Sequence, residues 1–405
     1  MKLKIDSLIV WLIVLFPVLD IYLTPIPGVS IGEICLIICS ILLILNNCKI
    51  TQNRAVLRYY MYVFLSTIVA LLLGAGQIGS NGIYSLFSYV LYFLLLTFFL
   101  NYGKFEPFSE KYIKSAKIIS IVSLIQFVLL KAGIKIALLI PFLENDIGSP
   151  YSSICASLSS MCGPFTEPAH LAQYLSVALI IVMFQKDINY KYAIFFSVTM
   201  LLTFKGNAVV LLGAIWGIRI GSDLLSNNRK MFIRALCIAL LSAIALIWLY
   251  NTNYNIRVMV SRIYEISGNG NESLTGYFGV SGYFRIKYGF DFWSSLDGIN
   301  KLFGIGVGTF DLYDRFSVMP YQIRGLYESN ALLNFRSGIT TILIDSGIVG
   351  IIMYLSAIFK NKSKFQKYIA VVLLIVQCME ATINTPLWLI FMFLVFNYKE
   401  VEHKM

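Results

Sequence analysis

Apolar residues in this chain run in blocks rather than in alternating or striped patterns. The blocks cover 7–23, 30–46, 57–73, 83–100, 116–133, 169–185, 190–204, 207–221, 232–250, 338–359, 368–382 and 386–398. Blocks of near membrane-span length, with polar and basic residues gathered between them, predict spanning helices rather than the narrow apolar faces of a soluble core. The predicted fold is all-α: a polytopic inner-membrane protein with about 12 transmembrane helices in one membrane domain over residues 1–405. Two longer intervals break the rhythm, a smaller one at 134–168 and a large loop at 251–337, expected to carry short helices.

Composition agrees, with 58% hydrophobic and 13% charged residues. The first residues, "MKLKIDSLIVWLIVLFPVLDIYL", join a basic start to a long apolar run without a small-residue cleavage site, which predicts an uncleaved first span. Charge sets the orientation. Lys49, Arg54, Arg58, Lys104, Lys111, Lys114, Lys117, Lys186, Lys191, Arg219, Arg229, Lys230, Arg234, Lys360, Lys362, Lys364 and Lys367 fall in alternate turns. The short intervening turns at 24–29, 74–82 and 383–385 have no Lys or Arg. The positive-inside rule then predicts both termini in the cytoplasm, with 134–168 and 251–337 on the periplasmic side, since long loops translocate largely regardless of charge. The net charge of +11 is scattered over span ends rather than striped, so no nucleic-acid partner is expected. Seven cysteines include no CxxC pair, and Cys35, Cys39, Cys237 and Cys378 lie in apolar runs, so no metal site is expected. Cys155 and Cys162 share the smaller outward interval, where a disulfide is open to them.

Several segments carry chemistry. In "CGPFTEPAHLAQYL" (162–175), Pro164 and Pro168 are expected to hold a span mouth non-helical and present Glu167 and His170 to the outward side. Glu167 has two readings: a proton-accepting or orienting carboxylate, or a helix-capping one favoured by the dipole. "TFKGNAVV" (203–210) turns tightly and directs Lys205 to the same side. The large loop contains Arg257, Arg262, Arg285 and Arg336, whose planar forks suit phosphate oxygens, although each also reads as an ordinary solvated residue. Gly304, Gly306 and Gly308 follow no predicted strand and open no helix with an acidic partner, so they are not a dinucleotide fingerprint. The aromatics of 277–293 read as an interfacial belt or, for some, as stacking platforms for sugars. Asp345 lies about two turns inside a span, which marks either a functional site or a pairing with another helix. Asp20, Glu33 and Glu380, nearer span ends, read as structural.

Taken in order, "CGPFTEPAHLA", "TFKGNAVVLLGAIWG", "SGYFRIKYGFDFW…LFGIGVGTF" and "LLNFRSGITTILIDSGIVGIIMY" resemble the Wzy-type O-antigen and capsule polysaccharide polymerases, a family similar in architecture to the O-antigen ligases. The resemblance implies a glycosyltransferase-C-like membrane fold and a metal-independent glycosyltransferase without a cofactor. Its substrate would be an undecaprenyl-diphosphate-linked oligosaccharide, with the bilayer and optionally a chain-length regulator protein as partners. The resemblance leaves the catalytic base unassigned; the chemistry of such a reaction makes Glu167 and Arg285 the catalytic candidates, and His170, Lys205, Arg257, Arg262 and Arg336 the substrate-binding ones. Ligases carry a histidine before an "E.G..G" pattern in the re-entry segment. Here that place is taken by Arg336, and the only histidines are His170 and His403, which favours polymerase over ligase. A lipid-linked oligosaccharide flippase or other transporter is the competing class, but no internal repeat of the transporter kind is visible.

The charge asymmetry predicts that alkaline phosphatase fusions after residues 78, 150 and 300 are active and those after 54, 112, 226 and 364 inactive. An inactive fusion at 300 reverses the orientation of the arginine-rich loop.

Overall fold

The computed structural model describes residues 2–25, 29–45, 53–72, 80–134, 160–165, 167–185, 187–225, isolated positions between 233 and 252, 281–309, 336–380 and 383–399. Its elements are helices: α1 (Lys2–Leu19), α2 (Ile31–Leu45), α3 (Arg54–Leu72), α4 (Ser80–Tyr102), α5 (Phe105–Lys131), α6 (Pro168–Met183), α7 (Tyr190–Leu201), α8 (Gly206–Leu225), α9 (Ser281–Ser295), α10 (Gly298–Phe303), α11 (Gly338–Phe359), α12 (Lys364–Met379) and α13 (Pro386–Asn397). Among the described residues there is no strand, only an isolated bridge between Leu23 and Ser30. All but α9 and α10 fall on predicted apolar blocks, while the block at 232–250 is described only at isolated helical positions.

Among the described residues, five helical stretches are long and apolar enough to cross a membrane: Arg54–Leu72, Ser85–Tyr102, Phe105–Lys131, Gly206–Leu224 and Gly338–Phe359. Other apolar helices are shorter. At 1.5 Å per residue, the 12 residues of α13 extend only about 18 Å, against roughly 30 Å of bilayer hydrocarbon. α5 begins well before its predicted block, at Phe105, because Glu106, Lys111 and Lys114 on its first turns extend a helix that the hydropathy pattern alone starts later.

The chain forms two compact units, one of Met1–Asn46, Lys104–Asn269 and Asn397–Met405, the other of Asn47–Gly103 and Gly270–Phe396. In the first, α6 is hydrophobic on nearly every side and is correspondingly buried along its length, His170 excepted. α5 packs against it in the manner of a membrane helix. Ser109, Ser115, Ser120, Ser123 and Gln126 face inward, while Ile118, Ile121, Ile125 and Val128 are exposed. Small and hydroxylated residues let backbones approach, and lipid tails solvate the apolar face as well as a protein core would. The stacked rings of Tyr112 and Tyr174 (4.7 Å) join the two helices. The Tyr112 hydroxyl donates to the Tyr174 carbonyl (3.0 Å), and that of Tyr174 lies 3.0 Å from Ser115 Oγ. At the start of α2, Ser30 and Glu33 form a reciprocal capping pair, and Ser30 Oγ donates to Asp20, so both carboxylates are structural.

The second unit is organised by a break. α11 contains Gly347 at φ 67°, ψ −170°, a region open essentially only to glycine. The carbonyls freed before the break are met from outside the helix. Ile344 O accepts from Ile305 N–H (3.0 Å), Asp345 O from Gly306 N–H (3.0 Å), and Ser346 O from the Tyr62 hydroxyl (2.9 Å). A Cβ on Gly347 would stand 2.3 Å from the Leu302 carbonyl oxygen, and one on Gly304 would stand 2.4 Å from that of Asp345. The three glycines after α10 are thus a docking turn, which agrees with their failing as a nucleotide loop. Beyond the break, Tyr354 donates to Gln377 of α12 (3.0 Å) and accepts from Trp388 Nε1 of α13 (3.3 Å).

Gly347→Ala is expected to destabilise the protein by about 1–3 kcal/mol from backbone strain alone, with the steric contact adding to it. Gly298→Ala, where an added Cβ meets nothing within 4 Å, stays near wild type. Thermal unfolding in detergent reads both, and equal midpoints for the two variants would contradict the docked break.

Candidate functional site

The mouth of α6 is built from α5. The Gln126 side chain, fully buried, accepts from the backbone N–H groups of Cys162 (3.2 Å) and Gly163 (2.9 Å). Gly163 takes φ 59° and lies so close to Ser123 that a Cβ would stand 2.2 Å from its hydroxyl. Phe165 is buried against Tyr174, their ring centroids 5.3 Å apart. Cys162 is disulfide-bonded, and Cys155, its partner in the sequence reading, lies outside the described residues.

This anchored turn delivers Glu167 in extended conformation (φ −132°, ψ 146°) to the N-cap position of α6, with Pro168 opening the helix. Proline suits that position because its missing N–H would have no helical partner there. Glu167 is exposed, and its carboxylate makes no capping hydrogen bond. Of its two readings, the hydrogen-bonded cap is therefore not realised, which leaves a charge beside the positive end of a helix dipole. His170 is half-buried on the first turn. Lys205, also half-buried, lies in the turn between α7 and α8, next to Phe204, whose ring is 6.0 Å from that of Phe127 on α5. The same end of α5 thus holds both the Cys162 turn and the Lys205 turn. Glu167, His170 and Lys205 share one end of the first unit.

The second unit holds the other described candidates. Arg336 immediately precedes Ser337, which caps α11 reciprocally with Thr340, and the Gly338 N–H donates to the Glu380 carbonyl (2.8 Å). Arg336 Nη1 lies 3.6 Å from Asp345 Oδ1, with side-chain exposures of 19% and 4%. Asp345 therefore pairs with the residue that leads into its own helix. The carboxylate is buried while the guanidinium is part-exposed. Nearby, the buried hydroxyls of Tyr59 on α3 and Tyr89 on α4 approach one another without reaching hydrogen-bond geometry, and both lie within electrostatic range of Asp345. Arg285 stands on α9, four residues before Gly289, where a Cβ would come within 2.3 Å of Thr340. Helical register thus puts position 285 one turn from the crossing of α9 with the start of α11. Arg257 and Arg262 lie outside the described residues.

Three residues escaped the sequence reading. Gln126 had a usable signal, a lone amide in an apolar block, since a polar side chain in a span needs a partner. Tyr59 and Tyr89 had none, because tyrosine in a span reads equally well as packing. No protein-family model matches the chain, and no curated protein matches it.

Gln126→Leu strands two buried backbone N–H groups, at about 1–3 kcal/mol for each. The lipid-facing Ile125→Ala, at a position 56% exposed, stays within about 0.5 kcal/mol of wild type. Thermal unfolding in detergent compares them, and a harmless Gln126→Leu would mean that the turn before α6 holds itself.

Proposed function

We propose that the protein is a Wzy-type polymerase that joins undecaprenyl-diphosphate-linked oligosaccharide units into O antigen or a related surface polysaccharide. It works at the periplasmic face of the bacterial inner membrane, with both termini in the cytoplasm. The observation that carries this reading is the Arg336–Asp345 pair: a part-exposed guanidinium held by a buried carboxylate at the head of a broken span. In the reaction, the bond between the anomeric carbon of the growing chain and its lipid diphosphate breaks, and a new bond forms to a hydroxyl of the incoming lipid-linked unit. The diphosphate leaves with the bonding electrons, so a preorganised cation is needed where that charge develops. Loss of one such donor costs about 3–4 kcal/mol in comparable sites. Arg336 and Arg285 have this role, with Arg257 and Arg262 as further donors to phosphate.

The acceptor hydroxyl must lose its proton, and Glu167 is the group assigned to take it, an effect worth about 10²–10⁴-fold. Its exposure and freedom from capping support the assignment. His170 and Lys205, on the same end of that unit, bind substrate.

Deleting the gene is expected to leave lipid A core bearing at most one repeat unit, seen as collapse of the polysaccharide ladder on a gel. Bare core with polymer stranded on the carrier lipid would identify a ligase, and retained long-chain polymer would overturn the proposal. At matched membrane expression, Glu167→Gln and Arg285→Ala lose most polymer, and Arg285→Lys rescues poorly because a point charge cannot reproduce the fork. Near-normal banding in Glu167→Gln would return that residue to the helix dipole alone.

A further inference from the structure

α10 is exposed where a water-soluble loop helix would be polar. Ile299, Leu302 and Phe303 are 64%, 46% and 47% exposed, whereas Asn300 on the same helix is buried. The contacts of this segment fix its depth. Gly347, against which the Leu302 carbonyl lies, has nine residues of α11 before it and twelve after it, so it is about 18 Å from the C-terminal end of that span. The Tyr62 hydroxyl reaches both Ser346 O (2.9 Å) and Phe303 O (3.5 Å) from the ninth residue of α3. Val307 N–H donates to Thr67 Oγ1 (3.0 Å), and Thr67 is five residues, about 7.5 Å, short of the end of α3. Both helices belong to the set able to cross a bilayer. The end of α10 and the turn after it are therefore level with the interior of two spans.

Non-helical backbone survives at that depth only if its polar groups are satisfied by protein. Here they are. The N–H groups of Gly304, Ile305, Gly306 and Val307 donate in turn to Asn300 O, Ile344 O, Asp345 O and Thr67 Oγ1. The Thr309 hydroxyl turns back onto the carbonyls of Ile305 (2.7 Å) and Gly306 (2.9 Å). Ile305 and Val307 are buried inward, and the large apolar side chains of α10 face out.

We infer that residues 298–309 form a re-entrant element of the membrane domain whose outer face, Ile299, Leu302 and Phe303, is solvated by the hydrocarbon chains of bilayer lipids. Water is a poor match for three large apolar side chains on one six-residue helix, and the satisfied backbone would be superfluous there, since water could supply the same bonds.

The test uses the full-length protein in phospholipid liposomes, with Cys35, Cys39, Cys48, Cys237 and Cys378 replaced by Ala and a nitroxide attached to Ile299→Cys or Phe303→Cys. Ile352→Cys, 61% exposed on α11, is the lipid reference, and Lys364→Cys, in an exposed helix start, is the water reference. With reagents on both faces of the bilayer, collision with oxygen relative to a water-soluble nickel chelate is read by electron paramagnetic resonance. Labels at 299 and 303 are expected to match Ile352→Cys and to exceed Lys364→Cys severalfold in this ratio. Values like those of Lys364→Cys would put the helix in water and overturn the inference. Exclusion of both reagents would mean that protein, such as a second copy of the chain, covers the face, and would overturn it too.

Discussion

A peptide group inside a bilayer must find its hydrogen-bond partner within the protein, and the second unit satisfies this rule at its most demanding point, the interruption of α11 at Gly347. An intact helix meets the requirement by itself. A broken one exports it, and three carbonyls before the break draw in two N–H groups from the turn after α10 and a hydroxyl from α3. The interruption therefore binds together three parts of the chain that are remote in sequence. It also sets where Asp345 can lie. Its carbonyl is part of the docking, so its side chain is held in a fixed position from which it meets Arg336.

The first unit solves the same problem with a side chain. The turn that leads into α6 has backbone donors with no helical acceptor, and the Gln126 amide, itself buried in α5, supplies one for two of them. Both units thus couple a polar group inside a span to an irregular segment at a helix start, and in both the irregular segment carries a charged candidate, Glu167 in one and Arg336 in the other. Support of this kind anchors the backbone beside a charged group without burying the group fully. Preorganisation requires that combination.

Much of the helical layout was legible because apolar blocks are a strong, local signal, and eleven named helices fall where blocks were read. Pro168, expected to hold the span mouth non-helical, instead opens α6 as its first residue, a position that suits proline's missing N–H, but the exposure of Glu167 was also legible. The pairing of Arg336 with Asp345 was not. Nine residues separate them, which is neither the three nor four of neighbouring helical positions, and the contact arises because the arginine lies outside the helix and reaches back along it. The glycine turn was equally opaque. Its positive φ angles could be guessed from composition, but its partners, Asp345 and Thr67, lie far along the chain, and nothing in a single sequence reports that distance.

Order of synthesis adds a temporal consequence. Residues 298–309 leave the ribosome before two of the acceptors that hold them, because Ile344 and Asp345 follow Ile305 and Gly306 by 39 residues. At about 5–20 residues per second, that delay is roughly 2–8 s. During this interval the segment has its partners on α3, Tyr62 and Thr67, but not the carbonyls of α11, so its docking is complete only once α11 is made. Docking of this short piece of chain therefore follows the synthesis of α11, and is a closing rather than a crossing.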